Sequence, residues 1–200
     1  MTAARRIARP LALSSAAGLA AVLLAASPAA AHTGRGPGGI LDGLLHPITG
    51  MDHLLAMVAV GVVAAIAIPR GRVWVAPAAF VGGMVAGGAA GMAGAPLPGG
   101  ELLIVVSVLL LGVAIAGAVQ GGRSWLVGSL VLAGLAHGHA HGVEAPTAAH
   151  PVLYIGGFVL ATASLHLLGV GAGTALRDRA PLRVGFGAAT AAAGALLLAA

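Results

Sequence analysis

The stretch HPITGMDHLLAMVAVG, residues 46–61, sets two histidines and an aspartate at the head of a run apolar enough to cross a membrane. Its second half needs no cause beyond apolar length. Its first half does, because a carboxylate at the centre of a span costs about 2.5–3.5 kcal/mol on insertion scales. On one continuous helix, His46 and His53 lie two turns apart on a shared face that Met57 continues, with Asp52 about a quarter turn away. Such a group suits a cation site or a proton relay. The plainer alternative is a helix end that reaches the interface, with Pro47 starting the span at its first position.

Composition supports the membrane reading. Of 200 residues, 59% are hydrophobic and 8% charged, and mean hydropathy is +1.03. Soluble domains carry about 25% charged residues. Glycine is abundant (33) and aromatics are scarce (3%), which suits helices that pack closely in lipid through small residues. There is no cysteine, so neither disulfides nor thiolate metal sites are available. The net charge of +5 comes from scattered arginines without any lysine. That pattern reads as membrane topology and predicts no nucleic-acid partner.

The chain opens as a secretory signal peptide over residues 1–31. A positive region with Arg5, Arg6 and Arg9 precedes the apolar LALSSAAGLAAVLLAA, and SPAAAH ends in a small-residue cleavage site after Ala31. The alternative is an uncleaved first helix. The remainder, 32–200, reads as one all-α polytopic membrane helix bundle of six transmembrane helices. The spans run roughly 47–68, 73–94, 101–120, 124–143, 150–173 and 182–200, each near the ~20 residues a crossing needs. Arg70, Arg72, Arg123, Arg177, Arg179 and Arg183 all fall in alternate loops. The positive-inside rule puts those loops in the cytoplasm and the mature amino terminus outside. The signal peptide predicts the same orientation, in the inner (cytoplasmic) membrane of a bacterium.

With that topology most histidines gather toward the outer face. His32 and His46 lie in or at the end of the external tail, and His53 lies about two turns into the first span. AHGHAHGVE carries His137, His139 and His141 in the last turns of the fourth span, with Glu144 just beyond. His137 and His141, four residues apart, share a face with Glu144, while His139 points to the other side. Imidazole with carboxylate oxygen suits divalent first-row metals; the alternative is a water-facing polar helix end. His150 is as fit for an interfacial role as for a ligand. His166, with Thr162 four residues before it, lies in the inner half and suits either transport or bonding within the bundle. Gly83, Gly87 and Gly91 form a small-residue packing face. The methionines read as filler of apolar helices rather than a copper site.

HPITGMDHLLAMVAVG resembles the first-span signature of the HupE/UreJ family, His-Pro-x-x-Gly-x-Asp-His followed by Met and Val-Gly. AHGHAHGVE and GFVLATASLHLLG (157–169) are similar to that family's second and third blocks. The resemblance covers 32–200 and implies a nickel, in some members cobalt, permease supplying hydrogenase or urease maturation. It implies His46, Asp52 and His53 as the principal metal site, His137, His139, His141 and Glu144 as a second cluster, and His166 as a third position. His32 is added from its terminal position alone. The implied ligand is a transported divalent ion, with no permanently bound cofactor. The remaining partner is the lipid bilayer, and a homo-oligomer is open.

The residues alone support a divalent-cation pathway entered from outside. If the first and fourth spans pack together, His53 and His137 come to similar depth, each about 9–10 Å from the outer end. Two rivals stay open, a membrane sensor or chaperone that binds without transporting, and a b-type cytochrome with paired histidines. An enzyme is not expected, since neither His-Glu-x-x-His nor Gly-x-Ser-x-Gly occurs.

Overall fold

A computed structural model describes residues 39–117, 122–144 and 150–199. The leader 1–31 and His32 lie outside the described residues. The described chain forms helices Ile40–Thr49 (α1), Met51–Ala67 (α2), Val75–Met92 (α3), Gly100–Gly117 (α4), Arg123–Glu144 (α5), Pro151–Leu176 (α6) and Ala180–Ala199 (α7), with a 3-10 turn at Arg70–Arg72. No strand occurs among the described residues.

Among the described residues, four helices are long and apolar enough to cross a membrane: α3 with the turn before it, α4, α6 and α7. The bent pair α1–α2 passes the same test jointly. At 22 residues α5 has the length, but His137, His139 and His141 lower its hydropathy. It would be the sixth span of the expected count.

The expected start of the first span is corrected by the backbone. Residues 40–49 form a helix of their own, and the chain turns by 84° before α2. The break falls at Gly50, whose φ of −85° and ψ of 116° are extended. Pro47 therefore lies inside α1 and does not open a span. His46 is helical and half-buried, not part of a tail, and His53 lies in the first turn of α2. The two histidines do not share one helix face.

Beyond its first turn, helix α2 is apolar all round, as a central helix must be. Ala56, Met57, Val60, Val62, Val63 and Ala64 are all fully buried, and α2 touches α1, α3, α4, α6 and α7. The outside of the bundle is apolar too, with Leu102, Leu110, Leu132, Leu160, Leu168 and Leu196 exposed. Such a surface belongs to a protein solvated by lipid tails.

Glycine sets the closest contacts. Gly83, Gly87 and Gly91 of α3 face the backbone carbonyls of Val131, Leu135 and His139 in α5. In return Gly134, Gly138 and Gly142 of α5 face the carbonyls of Phe80, Met84 and Gly88. A Cβ on any of the six would collide with the opposite backbone. The packing face expected at 83–91 is thus one half of a reciprocal zipper. Gly61, Gly169 and Gly173 join α2 to α6 in the same way, and Gly112, Gly187 and Gly194 join α4 to α7.

These registers give directions. Val58 faces Gly169 and Val62 faces Gly173, so α2 and α6 run parallel. Helices α3 and α5 are also parallel, while α4 and α7 are antiparallel. All three relations are those of a chain that alternates direction at every helix. The C-terminal ends of α2 and α6 meet where the Arg177 guanidinium donates to the Ile68 carbonyl at 3.5 Å. Arg70, Arg72, Arg123, Arg177, Arg179 and Arg183 consequently collect at one end of the bundle, and the histidine-rich ends of α1, α2 and α5 at the other.

Candidate functional site

The bend at Gly50 brings α1 back over the start of α2. Asp52 sits in the first turn, where exposed amide groups favour a carboxylate. Its Oδ1 accepts from the His53 backbone N–H at 2.8 Å and lies 2.7 Å from His53 Nδ1. A carboxylate can only accept here, so in the neutral ring Nδ1 carries the proton and Nε2 presents a lone pair. His137 is set in the same way, its Nδ1 donating to the Ala133 carbonyl at 2.9 Å. A histidine whose other nitrogen is tied to an acceptor is the form that binds metals.

The rings converge. The His53 centroid lies 5.1 Å from His137 and 4.4 Å from His141. His46 covers them, 4.7 Å from His141 and 6.4 Å from His53, with its Nε2 2.9 Å from His141 Nδ1. The Nε2 atoms of His53, His137 and His141 are buried and have no hydrogen-bond partner. Leaving a buried polar atom unpaired costs about 1–3 kcal/mol. Three together in a closely packed bundle therefore call for an explanation.

Helices α2 and α5 do not form an extensive contact of their own; each packs mainly on a different neighbour, α6 and α3 respectively. The expected packing of first against fourth span is thus corrected. What fills the space between them is imidazole. As the side chains lie, no group of three or more histidine or acidic residues among the described residues is placed to hold an ion together. One reason is visible, since His46 and His141 spend a nitrogen each on one another.

The other expected site residues lie apart from this group. His139 points away, its Nε2 donating to the Ala95 carbonyl in the α3–α4 turn at 2.6 Å. Glu144 closes α5. His150 caps the start of α6 and is exposed. His166 is buried deeper, its Nε2 also without a partner. Asp52 serves as the orienting group of His53.

Three aromatic residues were not expected at the site. Phe158 meets His141 edge-on at 4.3 Å, and Tyr154 lies 5.9 Å from His46. Phe80 touches His137 at 5.3 Å and His166 at 5.6 Å. The chain has only 3 Phe, 1 Tyr and 2 Trp, so half of its aromatics lie against histidines. That scarcity is the signal the sequence offers.

Residues 20–197 match the family model described as "HupE / UreJ protein". A curated relative, "Protein HupE" of Rhizobium leguminosarum bv. viciae, is 41% identical over 180 residues, covering 89% of this chain and 94% of its own length. No solved structure matches. The extent of both matches leads to one conclusion: the chain belongs to the HupE / UreJ family.

Proposed function

We propose that this protein is a permease that imports a divalent metal ion, nickel or alternatively cobalt, across the bacterial inner membrane for the maturation of hydrogenase or urease. In this reading the chain crosses six times, with α5 as a full span and the mature amino terminus outside after removal of 1–31. The observation that carries it is the set of three buried, unpartnered Nε2 atoms of His53, His137 and His141. Family membership supports nickel as the cargo; the imidazoles give the reason that a first-row metal suits the path.

The ion arrives hydrated at the outer mouth, where His32, His139 and Glu144 can exchange for its first waters. It then meets His46 and His141. Accepting it means breaking their mutual hydrogen bond, which frees one nitrogen on each. His53 and His137 complete the set, held in the right tautomer by Asp52 and Ala133. Neutral imidazoles hold a divalent ion without cancelling its charge, so the ion can leave inward toward His166. Moving two charges along a 100 mV potential is favourable by about 4.6 kcal/mol, at about 2.3 kcal/mol per charge. At about 1.4 kcal/mol per tenfold, that is more than enough for roughly a thousandfold accumulation without a nucleotide.

A b-type cytochrome fits poorly, because its axial histidines must stand on opposite faces of a macrocycle. Here the rings contact in series, His137 to His53 to His141 to His46, at centroid separations of 4.4–5.1 Å. A binding-only sensor or chaperone is separated by flux. Purified protein in liposomes, under an inside-negative potential, should carry nickel to an internal indicator dye. Nickel bound by the protein without internal signal would overturn transport in favour of the sensor, and a Soret band would identify the cytochrome.

A further inference from the structure

We infer that Phe80 is the gate of the pathway, a single apolar plug separating the outer imidazole cluster from an inner polar station formed by His166 and Thr162. This rests on the transport reading above.

Depth orders the three parts. His137 lies seven residues below the outer end of α5, about 10 Å at 1.5 Å per residue. The Phe80 carbonyl is opposite Gly134, about 15 Å below that end. His166 lies fifteen residues below the outer end of α6, about 22 Å. Phe80 is fully buried, and its ring contacts both imidazoles, tilted against His137 and edge-on to His166.

The inner station is polar without being satisfied. Thr162 Oγ1 and His166 Nε2 are buried and have no partner. They are four residues apart and so share a face of α6. Ser164, Thr174 and Thr190 each return a hydrogen bond to a carbonyl of their own helix; Thr162 does not. An oxygen and a nitrogen left open one turn apart form a second place for an ion that has lost part of its water.

Between two such stations an apolar ring blocks water and therefore the ion, as hydrophobic constrictions do in channels. The α3 backbone cannot step aside at this point, because Phe80 is pressed against Gly134 and the glycine zipper continues above it. Opening is thus left to rotation of the ring itself, away from His137 and His166. Its negative face can then attract the passing cation.

The test is nickel flux into liposomes holding the intact chain, Phe80→Ala, Phe80→Leu or Phe80→Trp at equal protein density, each first shown monodisperse and helical. The gate predicts flux at least threefold above the intact chain for Phe80→Ala, a smaller rise for Phe80→Leu, and a loss for Phe80→Trp. If Phe80→Ala does not fold, the opposite responses of the Leu and Trp variants decide the matter. Normal flux in the intact chain with unchanged or reduced flux in both smaller variants would overturn the gate and leave transport standing. No flux in the intact chain would overturn the transport reading and the gate with it.

Discussion

At Asp52 one carboxylate stands at the start of a helix and sets a tautomer. It accepts the His53 amide at 2.8 Å and stands 2.7 Å from the ring nitrogen of the same residue. Groups that orient a metal-binding histidine typically change affinity by about 10–100-fold when replaced. Asp52→Asn keeps an oxygen acceptor for the helix start but, with an amide that can also donate, no longer fixes the His53 proton on Nδ1. It should therefore weaken nickel binding by about that factor while leaving thermal stability nearly unchanged; isothermal titration in detergent measures the first and a melting curve the second. The sequence displays Asp52 and His53 plainly as costly residues. That the acid serves the histidine is not legible there, because two neighbours in sequence meet this way only at one side-chain geometry. Conversely, the opposed directions of His139 and of His137 with His141 follow from helical angle alone, and they are legible.

At the scale of elements, the five helices from α3 to α7 lie within a few residues of the expected spans, because their apolar runs end in proline, glycine or arginine. The missed element is α1. Its proline at position 47 signals a beginning, yet it lies eight residues into the helix, and an interval of seven between His46 and His53 imitates one continuous face. The turn at Gly50 leaves little room, as a Cβ there would stand 3.0 Å from His53 Nδ1 and 3.1 Å from Asp52 Oδ1. Gly50→Ala should accordingly lower nickel uptake severalfold without reducing the amount of folded protein, read by uptake against immunoblot. The glycine zipper makes a different prediction. Gly138→Leu puts a large side chain onto the Met84 carbonyl and should destabilise the bundle by about 3 kcal/mol or more. Gly82→Leu, on the exposed face of α3 with open space where its Cβ would stand, should be tolerated. Thermal denaturation of the two purified variants compares them directly.

Over the whole molecule, arginine marks one end and histidine the other, and the helix directions agree with that polarity. The alternation of arginine-bearing loops is readable in the sequence itself, since lysine and arginine bias is a property of the chain alone. How the helices pair is not readable there: parallel partners such as α2 with α6 are far apart in sequence and are joined by glycines that look like any other small residues. The orientation itself can be tested cleanly because the chain has no cysteine. In intact spheroplasts a membrane-impermeant maleimide should label His150→Cys and spare Asp178→Cys, and the reverse pattern would invert the proposed topology. The central claim, that a cation passes through the imidazole cluster at the outer end, is tested most directly in cells. Uptake of radiolabelled nickel at sub-micromolar concentration should be compared for the intact chain, His53→Ala and His137→Ala at matched membrane levels. The account predicts saturable uptake by the intact chain and a loss of at least tenfold in each variant. Uptake that survives in both variants would contradict it.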